Sequence, residues 1–368
     1  DLEQPGLVVA VHRAHRPAER APLVGQRLEA HGRFCAVALL ERVAGVRSID
    51  PGLACRDDVL RVHAEDYVHT VQGLSAGDHL PEGFRYNYGF LSGDNPPFEG
   101  MYEAALAYCG GAVKAAEAVR DGAPLAFNLS GGLHHAHRSR ASGFCLFDDP
   151  AIMVHILRER FDRVAYVDID VHHGDGVQWI YYEDPTVLTC SIHETGRTLF
   201  PATGFADETG PCWTSVNVPV EPETTGDTWL WAFDKGILPA LEAFQPQAIV
   251  LQMGTDPHFD DKLGHLKVSA QEWVGAVERI KALGLPIAAC GGGGYNLLTV
   301  PRMWAAAVMC LAGIEHPEAL PEDMAEEWEM PTYFDRVLPE PRWQGREEAE
   351  RTVLYLRELV HPHIPRPA

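Results

Sequence analysis

The strongest constraint on the fold is a set of strand-length runs that are almost continuously apolar. They include LAFNLS (125–130), RVAYVDIDV (163–171), VLTCSI (187–192), SVNVPV (215–220), AIVLQMG (248–254) and PIAAC (286–290). LVVAV (7–11) reads the same way, and VRSID (46–50) is a weaker candidate. A strand with one wet face alternates apolar and polar residues, so a continuous apolar run implies burial on both faces, hence a parallel sheet covered by helices. Helical patterns fall between the runs. In FEGMYEAALAYCGGAVKAAEAVRDG (98–122) apolar residues recur at a period near 3.6, with Gly122 at the expected stop. REEAERTVLYLRELV (346–360) is a last helix, while the acidic PEALPEDMAEEWEMP (317–331) reads as surface loop or a short exposed helix. The fold class is therefore α/β. No repeat and no convincing linker interrupts the chain, so residues 1–368 are expected to form a single domain.

Composition removes several function classes. No apolar run reaches the roughly 18 residues of a membrane span, and no basic-then-apolar signal opens the chain, so a cytoplasmic location is expected. A formal net charge of −22 argues against nucleic acid as a direct ligand, since phosphate binding needs a basic surface. The same acidity favours basic, lysine-rich partners, or simply keeps the protein soluble. Eight cysteines are scattered without a CxxC pair, which suits neither a zinc ribbon nor a secreted disulfide framework. The sequence does not determine the oligomeric state.

Four predicted strands end in chemistry. LAFNLS runs into GGLHHAH (His134, His135, His137), and RVAYVDIDV into HHGDG, giving Asp168, Asp170, His172, His173 and Asp175. AIVLQMG is followed by Thr255 and Asp256, and PIAAC by GGGGYN with Tyr295. In open α/β sheets, ligands sit beyond the carboxyl ends of the strands, where distant segments converge. On a strand, Asp168, Asp170 and His172 share one face and Val167, Ile169 and Val171 the other. Charged groups inside an apolar strand are costly unless compensated, and a bound cation is the usual compensation. Asp170 and His172 can grip one ion together, and Asp256 offers a third ligand while leaving a position open for water. Two carboxylates and one imidazole form a harder donor set than most zinc sites, so Fe(II) also suits it. The alternative is a buried ion-pair network without metal.

Adjacent histidines in a loop are commonly ordinary surface residues. Here Asp168 and Asp175 are left over once a metal claims Asp170, and a carboxylate behind each imidazole would fix its tautomer and raise its pKa for proton transfer. GGGG (291–294) could cradle phosphate, but neither GxGxxG nor GxxxxGK[ST] is present. Glycines also bend the backbone to present the next side chain. That side chain is Tyr295, either a buried core tyrosine or a hydrogen-bond donor to a developing oxyanion.

Taken together, GGLHHAHRSRASGFC, YVDIDVHHGDG, SIHETGRTLFPATG, LQMGTD and GGGGYN resemble the metal-dependent deacetylases of the histone-deacetylase family, above all their bacterial acetoin-utilisation branch. The likeness is strong over about residues 94–310. It implies the arginase-deacetylase fold, an eight-stranded parallel sheet between helices. It implies zinc ligands at Asp170, His172 and Asp256, with tandem histidines at His134 and His135 backed by Asp168 and Asp175. In the family the second histidine serves as general base and then acid, the first contributes electrostatics, and the residue matching Tyr295 polarises the amide carbonyl. Gly143, Phe144 and Phe200 match the walls of an acyl-lysine channel, and Asp94 matches an acidic rim residue. A structural potassium ion is implied at Asp168, Asp170, His172, Ser191 and Ile192.

Three departures stand out. Ala202 in PATG replaces a usual glycine, so that loop is expected to sit differently. GTDPHFDDKLG carries Pro257, His258 and an acidic pair after Asp256, which leaves the shape of the rim open. Leu263 stands where polyamine-selective relatives carry glutamate, which favours acyl-lysine protein as substrate. Rival readings are an acetylpolyamine amidohydrolase, an arginase-like ureohydrolase with two metals, and a non-catalytic acyl-lysine binder.

Overall fold

The computed structural model of the protein describes residues 8–10, 35–44, 46–90, 93–328, 330–340 and 345–367. Eight strands form one sheet: β1 (Val8–Ala10), β2 (Arg47–Ile49), β3 (Leu125–Asn128), β4 (Val164–Asp168), β5 (Val187–Glu194), β6 (Ser215–Val220), β7 (Ala248–Gln252) and β8 (Ile287–Cys290). Their spatial order is β2-β1-β3-β8-β7-β4-β5-β6, and every pairing is parallel. Each apolar run of the sequence is therefore a strand, including the weak candidate at 46–50. Leu7 and Val11 of the first run lie outside the described residues.

Burial on both faces explains the continuous hydrophobicity. Ala165, Val167, Ile249, Leu251 and Ala289 pack into one apolar cluster. Their strand neighbours Val164, Tyr166, Val250, Ala288 and Cys290 pack into another on the opposite face. The period-2 alternation is intact, but it sorts residues between two cores instead of between core and water. Helix Met101–Arg120 covers one side and helices Gly226–Phe244, Ala270–Lys281 and Thr299–Ala312 belong to the other. Helix Ala270–Lys281 starts at a capping box in which Ser269 and Glu272 satisfy each other's backbone N–H. The acidic 317–331 segment contains a short helix, Glu322–Glu327, with no buried residue. Among the described residues no helix is long and apolar enough to cross a membrane.

Topology places the site. β4 and β7 are neighbours near the middle of the sheet, yet the chain leaves β4 towards β5 and leaves β7 towards β8, in opposite directions. A crevice opens above carboxyl ends that diverge in this way. Two fully buried tryptophans fix its floor: Trp273 Nε1 donates to Gly254 O (2.8 Å) and Trp304 Nε1 to Met253 O (2.6 Å).

Candidate active site

One expectation needs correcting at the outset. β4 ends at Asp168, so Asp170 and His172 lie beyond the ladder and do not extend a strand face. The chain turns there because side chains capture the backbone. Asp168 Oδ1 accepts the N–H of Asp170 (3.1 Å), and Asp170 Oδ1 accepts that of His172 (2.9 Å). Such local carboxylate-to-backbone bonds compete with ladder pairing. The consequence is nevertheless convergence: Asp170 and His172 are brought together, and Asp256 joins them from the loop after β7.

The three side chains offer donor atoms that all lie within 4.8 Å of one another, and all three are buried. Nδ1 of His172 is 3.0 Å from Asp170 Oδ1 and 3.1 Å from Asp256 Oδ2. The other carboxylate oxygens are held by neutral donors. Asp170 Oδ2 accepts Gln252 Nε2–H and the N–H of Gly293, both at 2.8 Å, while Asp256 Oδ1 accepts Val171 N–H at 2.8 Å. Burial, with the Asp170 charge beside it, pushes the Asp256 carboxyl up to about 8. Burial opposes charge on His172 too, but its bonds to Asp170 and Asp256 hold it well above the ordinary imidazole range. Two buried carboxylates thus share too little positive charge, and an N,O,O donor set of this kind fits a divalent cation.

Beside this cluster the tandem histidines meet at a tilt, with 57° between their ring planes. Their ring centroids are 4.1 Å apart, with Nε2 to Nε2 at 3.1 Å. Nδ1 of His134 lies 2.8 Å from Asp168 Oδ2, and Nδ1 of His135 lies 2.6 Å from Asp175 Oδ1. The two imidazoles differ in charge. Burial disfavours the His134 cation, but Asp168 and Asp170 raise it to about 9. Burial and then the charge of His134 lower His135 to about 3, outweighing Asp175. The expectation that a carboxylate raises both therefore holds for His134 and fails for His135, because only one cation is tolerated in so tight a pair. With protons on both nitrogens of His134 and on Nδ1 of His135, the contacts with Asp168, between the two histidines and with Asp175 each pair a donor with an acceptor. Nε2 of His135 carries the basic lone pair, which accepts from His134 Nε2–H.

The pocket above is lined by both histidines, Asp170, His172, Gly143, Phe144 and Tyr295, among others. Phe200 stands edge on to His135 with centroids 4.9 Å apart and is partly exposed. Only glycine fits at 143: its φ is +48°, and a Cβ there would lie 2.5 Å from Cδ2 of His135 and 2.7 Å from Cε1 of Phe200. Gly293 is similarly confined, since a Cβ would overlap Asp256 Oδ2. That contact answers the phosphate reading of GGGG: the loop presses against two carboxylates, which repel an anion. Asp94 is half-buried, and its neighbour Asn95 donates from Nδ2 to Cys145 O (3.3 Å), tying that segment to the Gly143–Phe144 wall. Leu263 is 40% exposed on the loop after Asp256. Ser191 sits opposite Asp168 in the β4–β5 register, with Ile192 buried next to it. Ala202 adopts φ +66°, so the loop keeps the left-handed backbone that suits glycine although the residue is alanine.

Several site residues carry no motif of their own. Gln252, a lone amide in an apolar strand, also reaches within 3.3 Å of His134 Nδ1, and its polarity in AIVLQ was a usable signal. Asp149 accepts the N–H groups of Gly132 (3.0 Å) and Leu133 (2.9 Å), clamping the approach to His134. His63 accepts Asp148 N–H on Nε2 (2.9 Å), so its Nδ1 proton faces His137 O (3.1 Å). The loop after Asp256 is knitted into the fold, with His258 Nε2 3.1 Å from Asp335 Oδ2 and buried Arg302 donating to Asp335 Oδ1 at 2.6 Å.

Known proteins resemble this chain in sequence and fold. Residues 17–311 match the family model of the histone deacetylase domain. The acetoin utilization protein AcuC of Bacillus subtilis is 38% identical over 296 residues, 76% of this chain and 75% of that protein. The chain belongs to the histone deacetylase family. Histone deacetylase clr6 of Schizosaccharomyces pombe is 36% identical over 297 residues, covering 79% of this chain and 72% of its own. Two solved structures of this family superpose on nearly the whole chain at 27% identity. A crystal structure of an HDAC homologue complexed with SAHA gives a TM-score of 0.81, over 95% of this chain and 99% of that one. The structure of an HDAC homologue from Aquifex aeolicus gives 0.80 with the same coverage. The fold and the acetoin-utilisation-like branch expected from sequence are thus those found, and the chain is a deacetylase-family amidohydrolase with a candidate metal site.

Proposed function

We propose that residues 1–368 form a single cytoplasmic deacetylase domain that hydrolyses N-ε-acyl-lysine in proteins or peptides to lysine and a carboxylate. One observation carries the reading: Asp170 and His172 of the buried Asp170–His172–Asp256 cluster line one pocket together with His135 and Tyr295. Asp170, His172 and Asp256 would hold zinc, with Fe(II) as the alternative. When bound, such an ion supplies Lewis acidity towards a carbonyl and an acidified water.

The protein's own groups do the rest. His135 takes the proton of the attacking water on Nε2, while Asp175 keeps its Nδ1 proton in place. The same nitrogen then delivers the proton to the departing lysine amine. Cationic His134, steadied by Asp168, and the Tyr295 phenol stabilise negative charge on the former carbonyl oxygen; losing one such donor typically costs about 10²–10³ in rate. Phe144, Gly143 and Phe200 form walls suited to the apolar lysine stem, and Asp94 accepts backbone N–H groups of the substrate at the rim. A structural potassium ion at Asp168, Asp170, His172, Ser191 and Ile192 is part of the same reading, supported by the Asp168–Ser191 register. Its check is a dependence of turnover on KCl that NaCl does not replace.

Leu263 favours protein over polyamine, since an exposed leucine offers a polyammonium chain no partner charge. The deciding experiment is an acyl-lysine peptide panel with metal-stripped enzyme reloaded with zinc or iron, run beside acetylspermidine. Faster turnover of acetylspermidine would transfer the assignment to polyamines. No turnover of any acylated amine with either metal would remove the hydrolase reading.

A further inference from the structure

We propose that Asp261 is a positioning residue for Tyr295, a role that rests on the deacetylase reading above. The glycine run before Tyr295 supplies no side chains to fix its backbone, yet the phenol must be held in the pocket. The loop is instead pinned through alternate N–H groups: Gly291 donates to Asn128 O (3.1 Å), Gly293 to Asp170 Oδ2 (2.8 Å) and Tyr295 to Asp261 Oδ2 (2.7 Å). Of these three acceptors, only Asp261 holds the tyrosine directly. Its other oxygen, Oδ1, accepts Leu263 N–H at 2.9 Å and Gly264 N–H at 3.4 Å. A single carboxylate therefore fastens Tyr295 and the Leu263 rim to each other, although Asp261 and Tyr295 are 34 residues apart. The neighbouring Asn296 adds a second tie, donating from Nδ2 to Asp260 O at 3.0 Å. An acceptor-only group is required, because backbone donors arrive at both oxygens.

Asp261→Asn tests this. Its amide nitrogen must face either the Tyr295 N–H or the Leu263 and Gly264 N–H groups, so one side of the tie breaks. The expected result is a kcat lowered about tenfold to a hundredfold with KM changed less than threefold, unchanged metal content, and faster amide exchange in a peptide covering 291–298. In a Tyr295→Phe background the same substitution should cost less than twofold, since its effect passes through the missing hydroxyl. A wild-type kcat, or an undiminished loss in the Tyr295→Phe background, overturns the assignment. Asp261→Glu, which keeps the charge but displaces it by one methylene, should show the same pattern at smaller size and serves if the asparagine variant does not fold. If wild type turns over and Tyr295→Phe is fully active, it is the role of Tyr295 that fails instead.

Discussion

Nε2 of His137 lies 3.1 Å from Oδ2 of Asp175, on the carboxylate oxygen opposite the one that His135 holds. Burial works against the Asp175 anion, but the two imidazoles together hold it well below the usual carboxylate range. His137 must carry its proton on Nε2 to make this contact. Replacing it with leucine removes one of the two anchors of Asp175 and loosens the aim of His135. A net hydrogen bond of about 1 kcal/mol corresponds to a few-fold to tenfold loss of kcat. His137→Gln, whose amide also donates, should recover most of the activity. Equal losses in both variants would count against the anchoring role.

Metal loading should expel protons. In metal-stripped protein, burial and the Asp170 charge keep Asp256 protonated up to about pH 8, and His172 also holds a proton at neutrality. An ion must displace at least one of these. Affinity for zinc should therefore climb at least tenfold per pH unit below about pH 8, where both ligands must shed a proton, and more gently above it, where only His172 still does. Titrations at pH 6.5, 7.5 and 8.5 would measure the slope, and a flat profile would contradict it.

Gly143→Ala should disable the pocket without unfolding the protein. The added methyl meets rings of His135 and Phe200 at 2.5 and 2.7 Å, and the left-handed backbone adds about 1–2 kcal/mol of strain. One ring must yield. We expect kcat/KM to fall at least tenfold with only a few degrees lost from Tm, read by peptide kinetics beside thermal unfolding.

Mild acid should destabilise the loop that carries the tandem histidines. Burial lowers His63 to about 4, so the folded protein refuses a proton that the unfolded chain accepts near 6.5. Above pH 6.5 both states are neutral at this residue and it adds no pH dependence. Between pH 6.5 and about 4 stability should decline by up to about 3 kcal/mol from this group alone. Urea unfolding at pH 7.5 and 5.0 should show a smaller difference for His63→Gln than for the wild type.

The sheet was legible in the sequence because strands buried on both faces announce themselves by composition. The Asp–His–Asp cluster was legible too, since charges at the ends of apolar runs need an explanation. What escaped was the geometry of turning. RVAYVDIDV reads as one strand, but Asp168 and Asp170 bend the chain by capturing their own backbone. Asp149, Asp261 and His63 escaped for a different reason. Each acts by holding the backbone of a loop distant in the chain, and nothing local marks an acceptor whose donor lies far away. The acidic pair after Asp256 read as a disturbance of the rim, whereas the structure gives one of its members the task of securing it.

The seam between β4 and β7 sets when this protein becomes able to hold an ion. His172 and Asp256 are 84 residues apart in the chain, with three strands, β5, β6 and β7, between them. A nascent chain ending before Ala248 owns two donors and lacks the third, so it has no complete seat to offer. Capture of a cation at this site would thus wait for β7, and chains that stop short of it would make no competing claim on the metal supply.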